Sequence, residues 1–68
     1  MMNIISEFTK PQLDYIVANA NFTETERKLF ELRSKDVSHE NCAVILNMAS
    51  SSEYRTYNKM MKKVKKLT

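Results

Sequence analysis

Apolar residues recur at helical spacing in four segments of the chain, and short polar segments separate them. The first segment predicts a helix over Lys10–Asn19, with Thr9 as the N-cap and Pro11 in the first turn, where its missing N–H costs nothing. Asparagine tolerates the left-handed conformation that ends a helix, so residues 19–21 are expected to close it. The apolar face of this helix is formed by Leu13, Ile16, Val17 and Ala20.

The second helix begins at a clear signal. Thr23 and Glu26 have the spacing of a capping box, and the helix is expected to end near Lys35 and Asp36. Its expected core residues are Phe22, Leu29, Phe30 and Leu32.

The third helix is short, with Ser38 as its N-cap and Asn41 at the third helical position. Val44 is expected to face solvent. The buried side of this helix is expected to contain Cys42, Ala43, Ile45 and Leu46.

A turn over residues 47–49 precedes the fourth helix. Asn47 can adopt the left-handed conformation without glycine, and Met48 can fill the corner between two helices. Ser50 and Glu53 predict a second capping box, and the helix should continue to about Lys66. Its apolar side is predicted to contain Tyr57, Met61 and Val64, with Met60 beside them.

These segments predict an all-α protein with four helices in one domain, residues 1–68. The chain has no glycine, which the tight turns of strand hairpins usually need. Residues 1–8 form a leader that is either loose or packed through Ile4, Ile5 and Phe8. Residues 37–67 have the outline of a helix-turn-helix with a long C-terminal recognition helix.

Positive charge is concentrated at the end of the chain. Met1 to Glu53 contains five basic and eight acidic residues, whereas Tyr54 to Thr68 contains six basic residues and no acidic one. Such an asymmetry is typical of a protein that binds a polyanion, although a solvated, frayed basic tail is the alternative.

Enzymatic and membrane functions find little support in the sequence. The only histidine, His39, and the only cysteine, Cys42, cannot build a zinc site of the usual ligand count. No apolar run approaches the roughly 18 residues of a membrane span, and the N-terminus does not have the pattern of a signal peptide. We therefore expect a non-enzymatic protein of the cytoplasm that needs no cofactor, metal or small-molecule substrate.

The fourth helix is the candidate DNA-binding element. Arg55 can contact guanine and Asn58 can contact adenine through paired hydrogen bonds, while Lys62 and Lys63 lie where phosphates would be met. The alternative is a basic amphipathic helix that lies on an acidic membrane or binds a partner helix. His39, in the first turn of the third helix, is either an ordinary surface residue or a phosphate contact.

Residues 22–67 resemble the helix-turn-helix module of sigma factor region 4 and of LuxR-type regulators. The resemblance is carried by residues 22–32, by Val37-Ser38-His39-Glu40, by Ala43 and Ile45-Leu46-Asn47-Met48, and by the serine-rich start of the fourth helix. The whole chain is similar to small DNA-binding proteins of Firmicutes prophages and mobile elements.

The resemblance implies a role for individual side chains. Base contacts would come from Ser51, Ser52, Tyr54, Arg55 and Asn58. Phosphate contacts would come from Thr23, His39, Thr56, Lys59 and Lys62.

Two residues depart from the family pattern. Glu53 and Thr56 stand where this module usually has apolar residues early in the fourth helix. Either the stem of Glu53 covers the core, or the helix is rotated so that Tyr54 faces inward and leaves the base-contacting set.

The sequence therefore predicts a transcription regulator that binds double-stranded DNA as a homodimer, on half-sites roughly 34 Å apart. The dimer contact would come from the first helix or from the C-terminal end of the fourth, with Met60, Met61, Val64 and Leu67. The alternative is a protein-interaction module of the same fold that binds RNA polymerase or blocks a regulator.

Overall fold

The computed structural model describes residues 4–67, and in this part of the chain all regular structure is helical. A short 3₁₀ helix, Ile4–Glu7, precedes four α-helices, which confirms the predicted all-α, four-helix fold. The α-helices are α1 (Lys10–Asn19), α2 (Glu24–Ser34), α3 (His39–Ile45) and α4 (Ser50–Lys65).

The predicted caps begin the first three helices. Thr9 and Gln12 form a capping box at α1, and Thr23 and Glu26 form another at α2, so each pair satisfies two N–H groups. At α3, Ser38 accepts a hydrogen bond from the backbone N–H of Asn41. The start of each of these helices is therefore encoded locally.

Three residues take the left-handed conformation in place of glycine. Asn21, Asp36 and Asn47 have φ angles of 55°, 62° and 55° and follow the ends of α1, α2 and α3. Asparagine and aspartate tolerate this region because their short polar side chains can form local hydrogen bonds. The conformations predicted for residues 19–21 and for Asn47 are thus confirmed at Asn21 and Asn47.

The core lies between α2 and α4, with the 3₁₀ helix, α1 and α3 around it. Ile5 is fully buried and belongs to the core, so the 3₁₀ helix packs on the domain, whereas Ile4 remains exposed. The prediction left the leader open, and its first three residues lie outside the described part of the chain. The buried cluster is Ile5, Ile16, Ala20, Leu29, Phe30, Cys42, Met60 and Val64.

Three predicted packing positions are wrong. Ile45 is 59% exposed, because it lies about 100° around the helix from Leu46 and about 160° from the buried Ala43. Val17 is exposed at the edge of the α1 face, whose centre is Ile16. Met60, expected beside the apolar side of the fourth helix, is its fully buried centre.

The predicted capping box at the fourth helix is also wrong. The N-cap of α4 is Ala49, which makes no side-chain hydrogen bond, and Ser50 is already helical. Glu53 lies one position too far along to close a capping box, and its carboxylate bonds to another helix instead.

Ala49→Ser should therefore stabilise the protein. The backbone of Ala49 already has the extended conformation of an N-cap (φ −67°, ψ 151°), so a serine hydroxyl can accept from the N–H groups of the first turn. We expect a gain of about 1 kcal/mol in the free energy of unfolding, measured by urea denaturation. The matched variant Ser38→Ala should lose a similar amount, and an unchanged Ala49→Ser would contradict the assigned cap.

No helix within residues 4–67 is long and apolar enough to cross a membrane.

Candidate nucleic-acid interface

The helix α4 presents one row of residues to the core and a different row to solvent. Glu53, Met60 and Val64 are buried at intervals of seven and four residues, which marks the inward face. The opposite face, by the same helical spacing, carries an exposed row of Ser51, Arg55, Asn58 and Lys62. We call these four residues the outer row.

The positions of these residues decide the rotation of α4 about its own axis, which the sequence left open. Glu53 faces inward, with 1% of its surface exposed, and Tyr54 faces outward, with half of its surface exposed. The alternative rotation, in which Tyr54 faces inward together with Tyr57, Met61 and Val64, does not occur. Tyr54 therefore remains among the exposed residues of the helix.

The buried carboxylate of Glu53 is bonded to His39 at the start of α3. The imidazole Nδ1 lies 3.0 Å from Oε1 and 2.9 Å from Oε2, so the ring nitrogen contacts both oxygens. A buried carboxylate requires such a partner, because burial without a hydrogen bond is costly. This bond joins α3 to α4 and explains how an acid can occupy a buried position of α4.

Aromatic rings surround this bond. The His39 ring stacks on Tyr54, with centroids 4.9 Å apart and planes 24° apart, and meets Tyr57 edge-on at 4.6 Å. On the other side, the Arg33 guanidinium lies 5.7 Å from the centroid of the Tyr57 ring. One histidine thus contacts three residues of α4 and fixes its first two turns against α3.

The five residues predicted to contact bases are all exposed. Ser51, Arg55 and Asn58 lie in the outer row, and Tyr54 and Ser52 flank it on opposite sides. The structure thus brings the set together on one accessible helix, although two members stand at the edges of the face.

The six residues predicted to contact phosphates differ in exposure and in whether they already have a partner within the protein. Lys59 and Lys62 are exposed on α4, while the hydroxyl of Thr56 donates to the carbonyl oxygen of Ser52 at 3.0 Å. Thr23 is exposed, but its hydroxyl oxygen caps α2.

His39 and Lys63 also have intramolecular partners. His39 uses Nδ1 for Glu53, so a phosphate would have to be bound through its other ring nitrogen, Nε2. Lys63 bridges two elements, since its ammonium donates to Glu26 at 2.6 Å and to the carbonyl oxygen of Asn21 at 3.1 Å.

The ion pair of Glu26 and Lys63 changes the pKa of the Glu26 carboxyl. Burial by itself would raise the pKa of the Glu26 carboxyl, but hydrogen bonds from Lys63 and from the backbone N–H of Thr23, with the attraction of the Lys63 charge, outweigh it. The pKa of Glu26 consequently lies below its ordinary value of 4.5. The carboxylate both caps α2 and anchors the C-terminal half of α4.

Sequence reasoning missed the contact of Glu53 with His39 and that of Glu26 with Lys63, although a signal existed for the first. Glu53, as an acid at an expected core position, required a partner, and His39 was the only imidazole in the chain. Glu26 was correctly assigned to a capping box, but nothing in the sequence indicated which of the six basic residues between Arg55 and Lys66 would reach it.

Cys42 lies beneath this region as a buried core residue, as predicted. Burial raises the pKa of its thiol, and the Glu53 carboxylate raises it further, while Arg33 acts in the opposite direction. The thiol is fully buried, which disfavours a nucleophilic role. Among residues 4–67, no three histidine, cysteine or acidic side chains come together in a way that could hold a metal ion.

The electrostatic character of α4 follows from these placements. Its only acidic residue, Glu53, is buried against His39, and the exposed surface of the helix therefore carries basic and neutral residues alone. Lys63 is partly neutralised by Glu26. The exposed basic residues are Arg55, Lys59, Lys62, Lys65 and Lys66.

No protein-family model, curated protein or solved structure matches this chain.

Proposed function

We propose that the protein binds double-stranded DNA, with α3 and α4 acting as a helix-turn-helix and α4 entering the major groove. The observation that carries this proposal is the outer row of α4, which lies opposite the buried row on a helix whose exposed charged residues are all basic. An acid near the groove would repel phosphate, and the one acid of this helix is buried.

The outer row has the chemistry that base recognition requires. Arg55 can contact O6 and N7 of guanine and Asn58 can contact N6 and N7 of adenine, each through two hydrogen bonds. Lys59, Lys62 and the C-terminal lysines would contact phosphates and make the affinity depend on salt. The protein would act as a regulator of transcription or of mobile-element functions in a bacterial cytoplasm, at the nucleoid.

A dimer would give this small module enough contact with DNA. Met60 and Val64 are buried, so the dimer contact cannot come from them. An apolar groove of about 400 Å³ remains between α1 and the C-terminal end of α4. Its lining is Phe8, Pro11, Gln12, Tyr15, Ile16 and Leu67.

The groove lies at the end of α4 away from Ser51 and Arg55. Two copies that meet there would hold their DNA-contacting residues apart, as half-sites roughly 34 Å apart require.

The proposal is tested by titrating the protein against random and genomic duplex DNA at several salt concentrations. Affinity should fall steeply with salt, and saturation should require two chains per site. Undetectable binding at low salt would exclude the proposal, and a stoichiometry of one would exclude the dimer alone.

Two variants separate base contacts from phosphate contacts in the same assay. Arg55→Ala should cost about 1–3 kcal/mol on the preferred sequence and relax the preference at one position. Lys62→Ala should weaken all sequences alike and reduce the salt slope by about one. A loss from Arg55→Ala that is equal on all sequences would remove this residue from the base-contacting set.

A second candidate function is the binding of another protein, such as RNA polymerase or a regulator that this chain would block. Glu53 at the head of α4 is an acid that a basic partner could contact only if it were exposed, and this side chain is buried. The favouring observation is instead the adjacent pair Val44 and Ile45 on α3, which are 77% and 59% exposed. A chain that fails to bind DNA at low salt but binds a protein partner through these residues would fit this function.

A further inference from the structure

The exposed ring of Tyr54 is held in one orientation by the protein itself. Its centroid lies 4.9 Å from that of His39 with nearly parallel planes, and 6.3 Å from that of Tyr57 at a steep angle of 68°. One face of the ring is therefore covered, while half of the residue's surface remains accessible to solvent. An exposed aromatic side chain would otherwise change rotamer freely.

The restraint on Tyr54 is anchored in the core through His39. The His39 ring cannot rotate without breaking the bond between Nδ1 and the carboxylate of Glu53, which is buried. Its edge-on contact with Tyr57 adds a second restraint. A side chain that is ordered before binding loses less conformational entropy when it binds, so its contact contributes more to affinity.

Tyr54 also lies beside the residues proposed to contact bases. It precedes Arg55 directly, and it is three residues from Ser51 and four from Asn58, the spacings at which helical side chains are neighbours. A helix that inserts its outer row into the major groove would bring this ring to the base edges at one side of the row.

We propose that Tyr54 is a specificity-determining residue that recognises the 5-methyl group of thymine, and that His39 is the positioning residue that presents its ring. Thymine is the base that offers an apolar group in the major groove, and an aromatic ring makes a favourable apolar contact with it. Phosphates offer no such group, so the stacked ring is suited to a base. This inference rests on the proposed function, because it requires α4 to enter the groove.

The chemistry assigned to His39 differs from a phosphate contact. A phosphate contact would strengthen binding to every sequence and would depend on salt. A positioning residue would instead change the preference for thymine and leave the salt dependence unaltered. The two roles are therefore separable in a binding assay.

The experiment replaces each thymine of a selected duplex with deoxyuridine, one position at a time. Uracil keeps the hydrogen-bonding groups of thymine and lacks only the methyl group. For the wild-type chain, one position per half-site should weaken binding by about fourfold, the value of one buried methyl group. Tyr54→Ala should bind thymine and uracil at this position equally, whereas Tyr54→Phe should keep the difference because the ring remains.

The test of His39 uses His39→Gln, whose amide can still donate to Glu53 but which lacks the ring. It should lose most of the discrimination between thymine and uracil while its salt slope stays that of the wild type. Lys62→Ala is the control, since it should weaken both duplexes equally and leave their ratio unchanged. Circular dichroism confirms that each variant is folded.

The outcomes distinguish this inference from the proposed function. Absence of DNA binding by the wild-type chain would overturn the proposed function and, with it, its extension. Binding without any uracil-sensitive position, or a penalty that survives in Tyr54→Ala, would overturn the inference about Tyr54 alone. Unchanged discrimination in His39→Gln would overturn the positioning role, and a reduced salt slope would assign this residue to a phosphate.

Discussion

Replacing His39 with alanine is expected to destabilise the fold by about 3 kcal/mol, because the buried carboxylate of Glu53 would lose its hydrogen-bond partner. The two groups connect α3 to α4 across fourteen residues of sequence. A chain of 68 residues has little stability in reserve, so a loss of this size should leave a large fraction unfolded at physiological temperature. Thermal and urea denaturation followed by circular dichroism would measure it.

A double-mutant cycle identifies the cause. Glu53→Val alone should cost less than His39→Ala, because His39 is 28% exposed and can bond to water, and because valine is apolar and suits a buried position. His39→Ala combined with Glu53→Val should be more stable than His39→Ala by itself, since no buried carboxylate remains. Glu40→Ala, which removes an exposed acid of α3, is the matched control and should change little. A double variant no more stable than His39→Ala would contradict the account.

The helices could be predicted because their boundaries depend on neighbouring residues. The bounds of α1 were predicted to the residue, and Thr23 and Ser38 identified the starts of α2 and α3. Each signal is a side chain that bonds to a backbone group three positions away, so no tertiary contact is needed to recognise it. The same local reasoning failed at α4, where Ala49 provides no side-chain signal.

The rotation of α4 could not be predicted because it depends on a contact between two helices. Two apolar stripes are possible on this helix, one that contains Glu53 and one that contains Tyr54. The stripe that contains Tyr54 has no acidic residue and is therefore the more hydrophobic of the two. The structure selects the stripe that contains Glu53, and it does so because His39 satisfies the carboxylate from α3. A polar residue at a core position therefore indicates a specific partner, and its identity follows only from the fold.

The roles of the lysines in α4 could not be predicted for the same reason, because they too depend on contacts between helices. In the sequence, Lys62 and Lys63 are adjacent and alike, and both were predicted to contact phosphates. In the structure, Lys62 is exposed, whereas Lys63 is half-buried and paired with Glu26, 37 residues earlier. Their directions differ by about 100° around the helix, which places one toward solvent and the other toward α2.

Lys63→Met should therefore destabilise the protein by about 2 kcal/mol, because it removes the hydrogen bond and the charge that compensate the buried carboxylate of Glu26. The loss is expected to be smaller than for His39→Ala, since the backbone N–H of Thr23 still donates to Glu26. Methionine retains the length and much of the apolar surface of the lysine stem. Lys62→Met is the matched control and should leave stability nearly unchanged, because Lys62 is exposed on the outer row.

The pH dependence of stability distinguishes loss of the ion pair from loss of packing. The pKa of Glu26 is lowered in the folded state, so its contribution to stability is fully present above the ordinary value of 4.5 and is lost as the pH falls through the lowered value. In Lys63→Met the contributions of Lys63 disappear while burial still raises the pKa of Glu26, so the folded-state pKa of this carboxyl moves up toward or above its ordinary value. The acid-induced loss of stability from Glu26 therefore shrinks, and the stability deficit of Lys63→Met relative to the wild type should be largest near neutral pH and shift toward zero as the pH falls. Urea denaturation from neutral pH to about pH 3 measures this shift, and Lys62→Met should follow the wild-type curve. Parallel curves for Lys63→Met and the wild type, offset by a constant amount at all pH values, would assign the effect to packing and contradict the ion pair as its cause.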